Sequence, residues 1–239
     1  FIAALLLAGC ATTPSQYRTV DGSMLGTTYH IVAETTLSTE QISEKMESIN
    51  REAIASMSIF DSESLLSRIN NNQTDSLDGH ILRNIEIATK IHAIVPRYDI
   101  TVKPLVEAYG FAAKNREAKP NIDSLMQFVG FEKFRIEGSR IVKNDPRLQL
   151  DLNSIAKGYV VDLIAEWLDT QGCQNYIVEV GGEICSKGVN RKGTAWRVGV
   201  DAPIDNNNSP GEYQQKVVQI SGSALATSGN YRRFYYNDK

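Results

Sequence analysis

Residues 151–162 read DLNSIAKGYVVD, and they set a cation and a glycine where a helix should begin. A start is expected near Asn153 and Ser154, so Lys157 and Gly158 fall in the first turns. Both are locally unfavourable. The amino end of a helix carries partial positive charge and prefers anions, and glycine costs a helix about 1 kcal/mol relative to alanine. The positions three or four residues from Lys157 are Asn153, Ser154, Val160 and Val161, none of them acidic. An anion from elsewhere resolves the conflict: helix N–H groups, the dipole and an ammonium together form a phosphate seat. Gly158 would let that ligand approach the backbone closely. A lysine swinging into solvent is the alternative that these residues alone leave open. Asp151, just before the helix, is placed to cap it or to hold a hydroxyl.

Three further groups suit the same chemistry. Gly181-Gly182 sits inside YIVEVGGEIC, which reads as one strand, where glycines mark a bulge or a close approach to the backbone. ATSGNYRR (226–233) combines small residues, hydroxyls and two arginines, as a phosphate or sugar loop would; a plain hairpin turn fits it equally. YDITVKPL (98–105) places Asp99 and Thr101 beside Pro104, in itself an Asx-turn.

The elements that must position these groups read as α+β, with antiparallel strands and flanking helices. GTTYHIVAE (26–34) is strand-like. The next segment opens on cap signals at Ser38 to Gln41. It then repeats Ile42, Met46, Ile49, Ala53 and Met57 at helical spacing. A loop and short helix cover 58–72, and a second amphipathic helix spans 77–95, stopped by Pro96. A smaller helix is expected from Pro120-Asn121 to Val129, and a hairpin around Glu137-Gly138-Ser139. The helix from Ser154 to Gln171 has one apolar row at Ile155, Tyr159, Leu163 and Trp167 and another at Val160, Ile164 and Leu168; Gly172 ends it. Strands at 176–185, 196–203 and 217–236 complete the pattern, the last interrupted by a Gly/Ser turn.

The 239 residues are 42% hydrophobic and 22% charged with net charge −3, enough for a real core. That balance gives no reason to expect nucleic acid as a partner. His30, His80 and His92 lie far apart in no metal or triad spacing, and Cys173 and Cys185 read as two small buried thiols, a disulfide between them being the alternative in an oxidising compartment. The first ten residues, FIAALLLAGC, are an apolar run too short to span a bilayer. They read as the h-region of a truncated secretory signal peptide. Leu7-Ala8-Gly9-Cys10 resembles a bacterial lipobox with Cys10 as the lipidated residue, and residues 11–21 follow as a polar tether. Export and anchoring at a bacterial membrane on the periplasmic side are expected, inner or outer membrane being left open.

Six stretches in one order resemble the ApbE family of FAD:protein FMN transferases. They are GTTY (26–29), SIFDSESLLSRIN (58–70), YDITVKPLVEAYGF (98–111), DLNSIAKGYVVD (151–162), VEVGGEI (178–184) and TSGNYRRF (227–234). The resemblance spans residues 22–239. It implies a two-subdomain fold with a flavin site, and a magnesium-dependent reaction. FAD is cleaved at its pyrophosphate, FMN passes to a threonine of a target protein, and AMP is released. It further implies that Leu25, Phe60, Arg97, Tyr98, Asp99, Asp151, Lys157, Gly181, Gly182, Thr227, Ser228, Gly229 and Tyr231 contact FAD. A backbone carbonyl at Ser154 would help hold Mg2+. Threonine-bearing subunits of membrane redox complexes of the sodium-pumping Nqr or Rnf type are the implied acceptors. An FAD pyrophosphatase giving FMN and AMP, or a non-catalytic flavin-binding surface lipoprotein, are the alternatives.

The sequence departs from the family pattern in places. Leu25 rather than methionine precedes Gly26, Pro96-Arg97 replaces a glycine, Tyr109 stands where tryptophan is common and Ala112 where glycine is. The family pattern continues with His-x-x-Asp-Pro-x-Thr-Gly and later metal-binding aspartate and threonine. No such segment occurs among the 239 residues, so the catalytic residues are expected beyond Lys239.

Overall fold

The computed structural model describes residues 15–111, 120–202 and 213–227. Cys10 with the lipobox, Ala112, and Ser228, Gly229 and Tyr231 of the last loop lie outside them.

The chain opens with β1 (Gln16–Met24) and β2 (Thr27–Thr35), an antiparallel hairpin. The tether expected over 11–21 is therefore corrected from Gln16 onward, where the chain is an edge strand. Only Val20 and Met24 of β1 are buried, and that sparse pattern reads as polar linker in the sequence. Leu25 and Gly26 form the two-residue connection, with φ of +50° and +73°. Positive φ at both positions is the geometry that matches strand twist.

Next come α1 (Thr39–Met57), α2 (Leu65–Asn70) and α3 (Gly79–Ile94). The first starts on a complete capping box and buries the expected Ile42, Met46, Ile49, Ala53 and Met57. The third is capped by Asp78 and buries Ile81, Ile85 and Ala88. Two short helices follow, α4 (Lys103–Ala108) and α5 (Ile122–Met126); the latter stops before the Val129 expected from sequence. The hairpin β3 (Phe134–Glu137) and β4 (Arg140–Lys143) turns at Gly138-Ser139 as read.

Then comes α6 (Asn153–Thr170), whose buried row is Val160, Val161, Ile164, Ala165 and Leu168. Ile155, Tyr159, Leu163 and Trp167 are only partly buried, so the second of the two predicted rows faces the core. Ile164 and Leu168 are fully buried, each worth about 2 kcal/mol in apolar transfer.

After α6 the chain forms β5 (Tyr176–Val180), β6 (Glu183–Lys187), β7 (Trp196–Asp201), β8 (Gln214–Ile220) and β9 (Ser223–Leu225). The expected single strand at 176–185 is corrected to a hairpin: Gly181 and Gly182 are its two-residue turn, with φ of +53° and +92°. A strand cannot continue through two left-handed residues.

The main sheet has the order β1-β2-β5-β6-β9, with every neighbouring pair antiparallel. Alternation puts Ile31, Ala33, Val178 and Val180 on one face, in the core shared with α1, α3 and α6. On the other face, Ile184 joins Trp196, Val198 and Ile220 of the β7–β8 ribbon in a second, smaller cluster. No helix among the described residues is long and apolar enough to cross a membrane.

Candidate functional site

The mouth of α6 is built by loops from several elements. Its N-cap, Leu152, has no side-chain cap. Asp151 sits one residue earlier, and its Oδ1 accepts from the Asn153 amide at 2.8 Å. Leu152 O accepts from Ile155 and Ala156 at 3.0 and 2.8 Å. Most of the amides expected to be free are thus engaged by the chain itself. Among the described residues the Ser154 amide is the one in this turn that makes no such bond.

Asp151 is buried, and burial pushes its carboxyl above the usual range; the Asn153 amide and then Lys103 pull it back in part, and Glu107 adds to the rise. Its amide donates to Ile100 O at 2.7 Å, which lays segment 97–101 beside the start of α6. There the Tyr98 and Ser154 hydroxyls share a hydrogen bond of 2.9 Å. Burial also pushes the Tyr98 phenol up. Asp99 forms the expected Asx-turn, accepting from the Thr101 amide and hydroxyl at 2.8 and 2.7 Å. Arg97 is exposed at the edge of this loop.

Two further residues fix these segments. Asn70, buried at the end of α2, accepts from Leu150 N at 2.7 Å and donates to Leu150 O at 2.9 Å, standing in for a neighbouring strand. A nitrogen of His92, Nδ1, lies 2.7 Å from Tyr98 O and must donate to that carbonyl, while its ring stacks on Phe131 with centroids 4.4 Å apart. In the sequence, Asn70 looked only like part of a helix-ending asparagine run, and His92 carried no spacing signal.

Lys157 projects from the next turn of α6 to the β5–β6 hairpin. Its Nζ donates to Gly181 O at 3.0 Å and lies 3.4 Å from Glu183 Oε1. The anion missing from its own helix thus comes from β6, a partner that no helical spacing could reveal. The turn glycines are explained within the protein. A Cβ at Gly181 would lie 2.7 Å from Thr27 Cγ2, and one at Gly182 would lie 3.1 Å from Thr227 Oγ1. Thr227, exposed, reaches Gly182 O at 3.5 Å, the outer limit of a hydrogen bond.

Gly158 differs. A Cβ there would meet nothing within 4 Å, so the fold itself does not require a glycine. Leu25 belongs to the same hairpin edge: the Gly181 amide donates to Thr28 O at 3.0 Å, and the Leu25 amide donates to Asn50 Oδ1 at 3.0 Å. Phe60, on the loop after α1, is 64% exposed and bonded to none of these groups through its side chain.

The described residues therefore bring together Leu25, Gly181, Gly182, Thr227 and Lys157 in one linked set, and Tyr98, Asp99, Asp151 and Ser154 in another. Both meet on α6. No group of three or more His, Cys, Asp or Glu able to hold a metal occurs among them. Of the carboxylates at the helix mouth, Asp151 is engaged by the Asn153 amide and Asp99 by Thr101, and the described residues do not complete a magnesium site.

The model of the ApbE family matches residues 25–239, the whole of this arrangement. The chain belongs to the ApbE family. An FAD:protein FMN transferase of Vibrio cholerae is 33% identical over 252 residues, covering 98% of this chain and 72% of that protein. One from Haemophilus influenzae is 31% identical, covering 97% and 71%. The solved flavin transferase ApbE of V. cholerae superposes with a TM-score of 0.81 at 30% identity, over 95% of this chain and 75% of its own. An apo flavinyl transferase ApbE of Pseudomonas stutzeri gives 0.80 at 26%, over 94% and 74%. The α+β architecture of this chain is that of the ApbE structures.

Proposed function

We infer that this protein is an FAD:protein FMN transferase. A hydroxyl of the acceptor attacks the phosphorus of the FMN half. A new P–O bond forms, the pyrophosphate P–O bond breaks, and AMP leaves carrying the released phosphate oxygen. The hydroxyl proton passes to a base or to solvent. Such transfers depend mainly on positioning and on neutralising spread charge.

The observation that carries this reading is the placing of Lys157 beside open space at Gly158 on a helix start whose Ser154 amide makes no hydrogen bond among the described residues. The Lys157 ammonium and the Ser154 amide would hold the diphosphate, and Gly158 would admit it to the backbone. Asp151 and Tyr98 would orient the nucleotide, and Phe60 offers an exposed ring on which a flat group can stack. Arg97, Asp99, Leu25 and Thr227 would line the same ligand.

Threonine as acceptor, magnesium as cofactor, and Nqr- or Rnf-type subunits as targets enter this proposal from the family resemblance. Magnesium would neutralise diphosphate charge. Lipidation at Cys10, with anchoring on the periplasmic side of a membrane, is proposed from the lipobox. It would be checked by mass spectrometry of the amino-terminal peptide.

Incubating the full-length protein with FAD, magnesium and a threonine-bearing acceptor tests the reaction. Flavin fluorescence that stays with the acceptor after denaturing electrophoresis, with AMP released in equal amount, is the expected result. Free FMN and AMP with an unlabelled acceptor would replace transferase by pyrophosphatase.

A further inference from the structure

We propose that Glu183 is a built-in competitor for the diphosphate: its carboxylate pairs with the Lys157 ammonium and must be displaced by an incoming diphosphate. This rests on the reading of Lys157 as a diphosphate ligand.

The strand register puts the carboxylate there. Glu183 pairs with Val180 across the Gly181-Gly182 turn, so its side chain leaves the sheet on the face that packs against α6. The turn allows little slack, because both its residues are held at positive φ and Gly181 is bonded to Thr28. The Glu183 side chain is 19% exposed, largely withdrawn from water. Lys157 is the cation it reaches among the described residues.

The two contacts of Lys157 are unequal. Its bond to Gly181 O is of ordinary length at 3.0 Å, whereas the carboxylate stands off at 3.4 Å. A charge-assisted bond between such groups closes to about 2.8 Å when unconstrained. The carbonyl therefore aims the ammonium, and the carboxylate balances its charge loosely enough to be replaced. A bare inorganic anion then meets a cation already neutralised. A dinucleotide has more to offer, since its ends add stacking and hydrogen bonds beyond the diphosphate.

A strut and a competitor predict different results. Calorimetric titration of FAD and of inorganic pyrophosphate into the full-length protein would be run on wild type, E183Q, K157M and the double variant, at low and high salt. Glutamine keeps the volume and an acceptor oxygen, so a mere strut would survive the change. The expected result is about tenfold tighter pyrophosphate and FAD binding in E183Q, because the Lys157 ammonium loses the charge that competes with the ligand. The gain should shrink in high salt and vanish on the K157M background. Glu183→Ser, which shortens the side chain as well as neutralising it, should also tighten pyrophosphate; it provides the same reading if E183Q does not fold. Unchanged or weaker binding in both neutral variants, with K157M still impaired, would overturn the role of Glu183 and leave the diphosphate reading standing. FAD binding to K157M as tight as wild type would overturn both.

Discussion

Two helices of similar length begin in opposite ways. At α1, Ser38 Oγ accepts from the Gln41 amide at 3.2 Å, Gln41 Oε1 accepts from the Ser38 amide at 2.8 Å, and Glu40 adds an acid to the first turn. At α6 the N-cap is Leu152, no side chain caps from that position, and the first turn holds no acid. The first helix completes itself from local residues. The second is completed by Asp151, by Leu152 O and by a β-hairpin beyond its own end, and it still leaves the Ser154 amide and the space at Gly158. The contrast separates a helix start that serves stability from one that, in the function proposed above, serves binding.

The largest expected effect tests the second start. Lys157→Met should lower FAD turnover about 100-fold, the scale of losing one oriented charge from a transferring phosphoryl group. The thermal midpoint should fall by a few degrees, since the largely buried Glu183 carboxylate loses its cation; steady-state flavinylation and thermal unfolding check both. Next, Gly158→Ala should act in opposite directions on the two properties. It should raise unfolding free energy by about 0.5–1 kcal/mol, as glycine to alanine does in an unobstructed helix. It should also weaken FAD binding about tenfold by filling the approach to the backbone. A variant that gains stability and keeps its FAD affinity would remove the reason given for Gly158. Ser38→Ala at the first start should cost about 1 kcal/mol in denaturant unfolding and leave FAD affinity unchanged.

Asp151→Asn has a pH signature. The folded-state carboxyl lies above its unfolded value, so between the unfolded pKa of about 4 and the folded one the native state holds more protons than the unfolded chain. Wild-type stability should fall across that window. The Asn153 amide still finds an oxygen in the asparagine variant, which should lack that fall and lead wild type at neutral pH. Unfolding curves between pH 3 and 7 would reveal this; parallel profiles would speak against a raised Asp151. The smallest effect is Tyr98→Phe, which removes the bond to Ser154 and should change FAD affinity only a few-fold, as for a single exposed neutral hydrogen bond.

The same contrast explains what could be read from the chain. The start of α1 is written in adjacent letters, a serine and a glutamine three apart followed by periodic apolar residues, and its burial follows that spacing. The apolar rows of α6 were legible too, but which row faced inward depended on the sheet and on α1, which no single helix encodes. Gly181-Gly182 was visible as a special place. It was mistaken for a strand interior because apolar alternation runs on both sides of the turn. Strand β1 was missed from Gln16 because an edge strand with two buried residues carries little hydrophobic signal. In the site, Lys157 and Gly158 stood out as local contradictions. Glu183, Asn50 and Asn70 did not, since each acts on a segment distant in sequence and is unremarkable where it stands.

The amide of Asn70 joins Leu150 across 80 residues of chain. Contacts of such separation come at a high closure entropy and tend to form late. The segment that leads into α6 is thus expected to dock only after α2 is in place, so the mouth of the proposed nucleotide site would take shape after that helix during refolding.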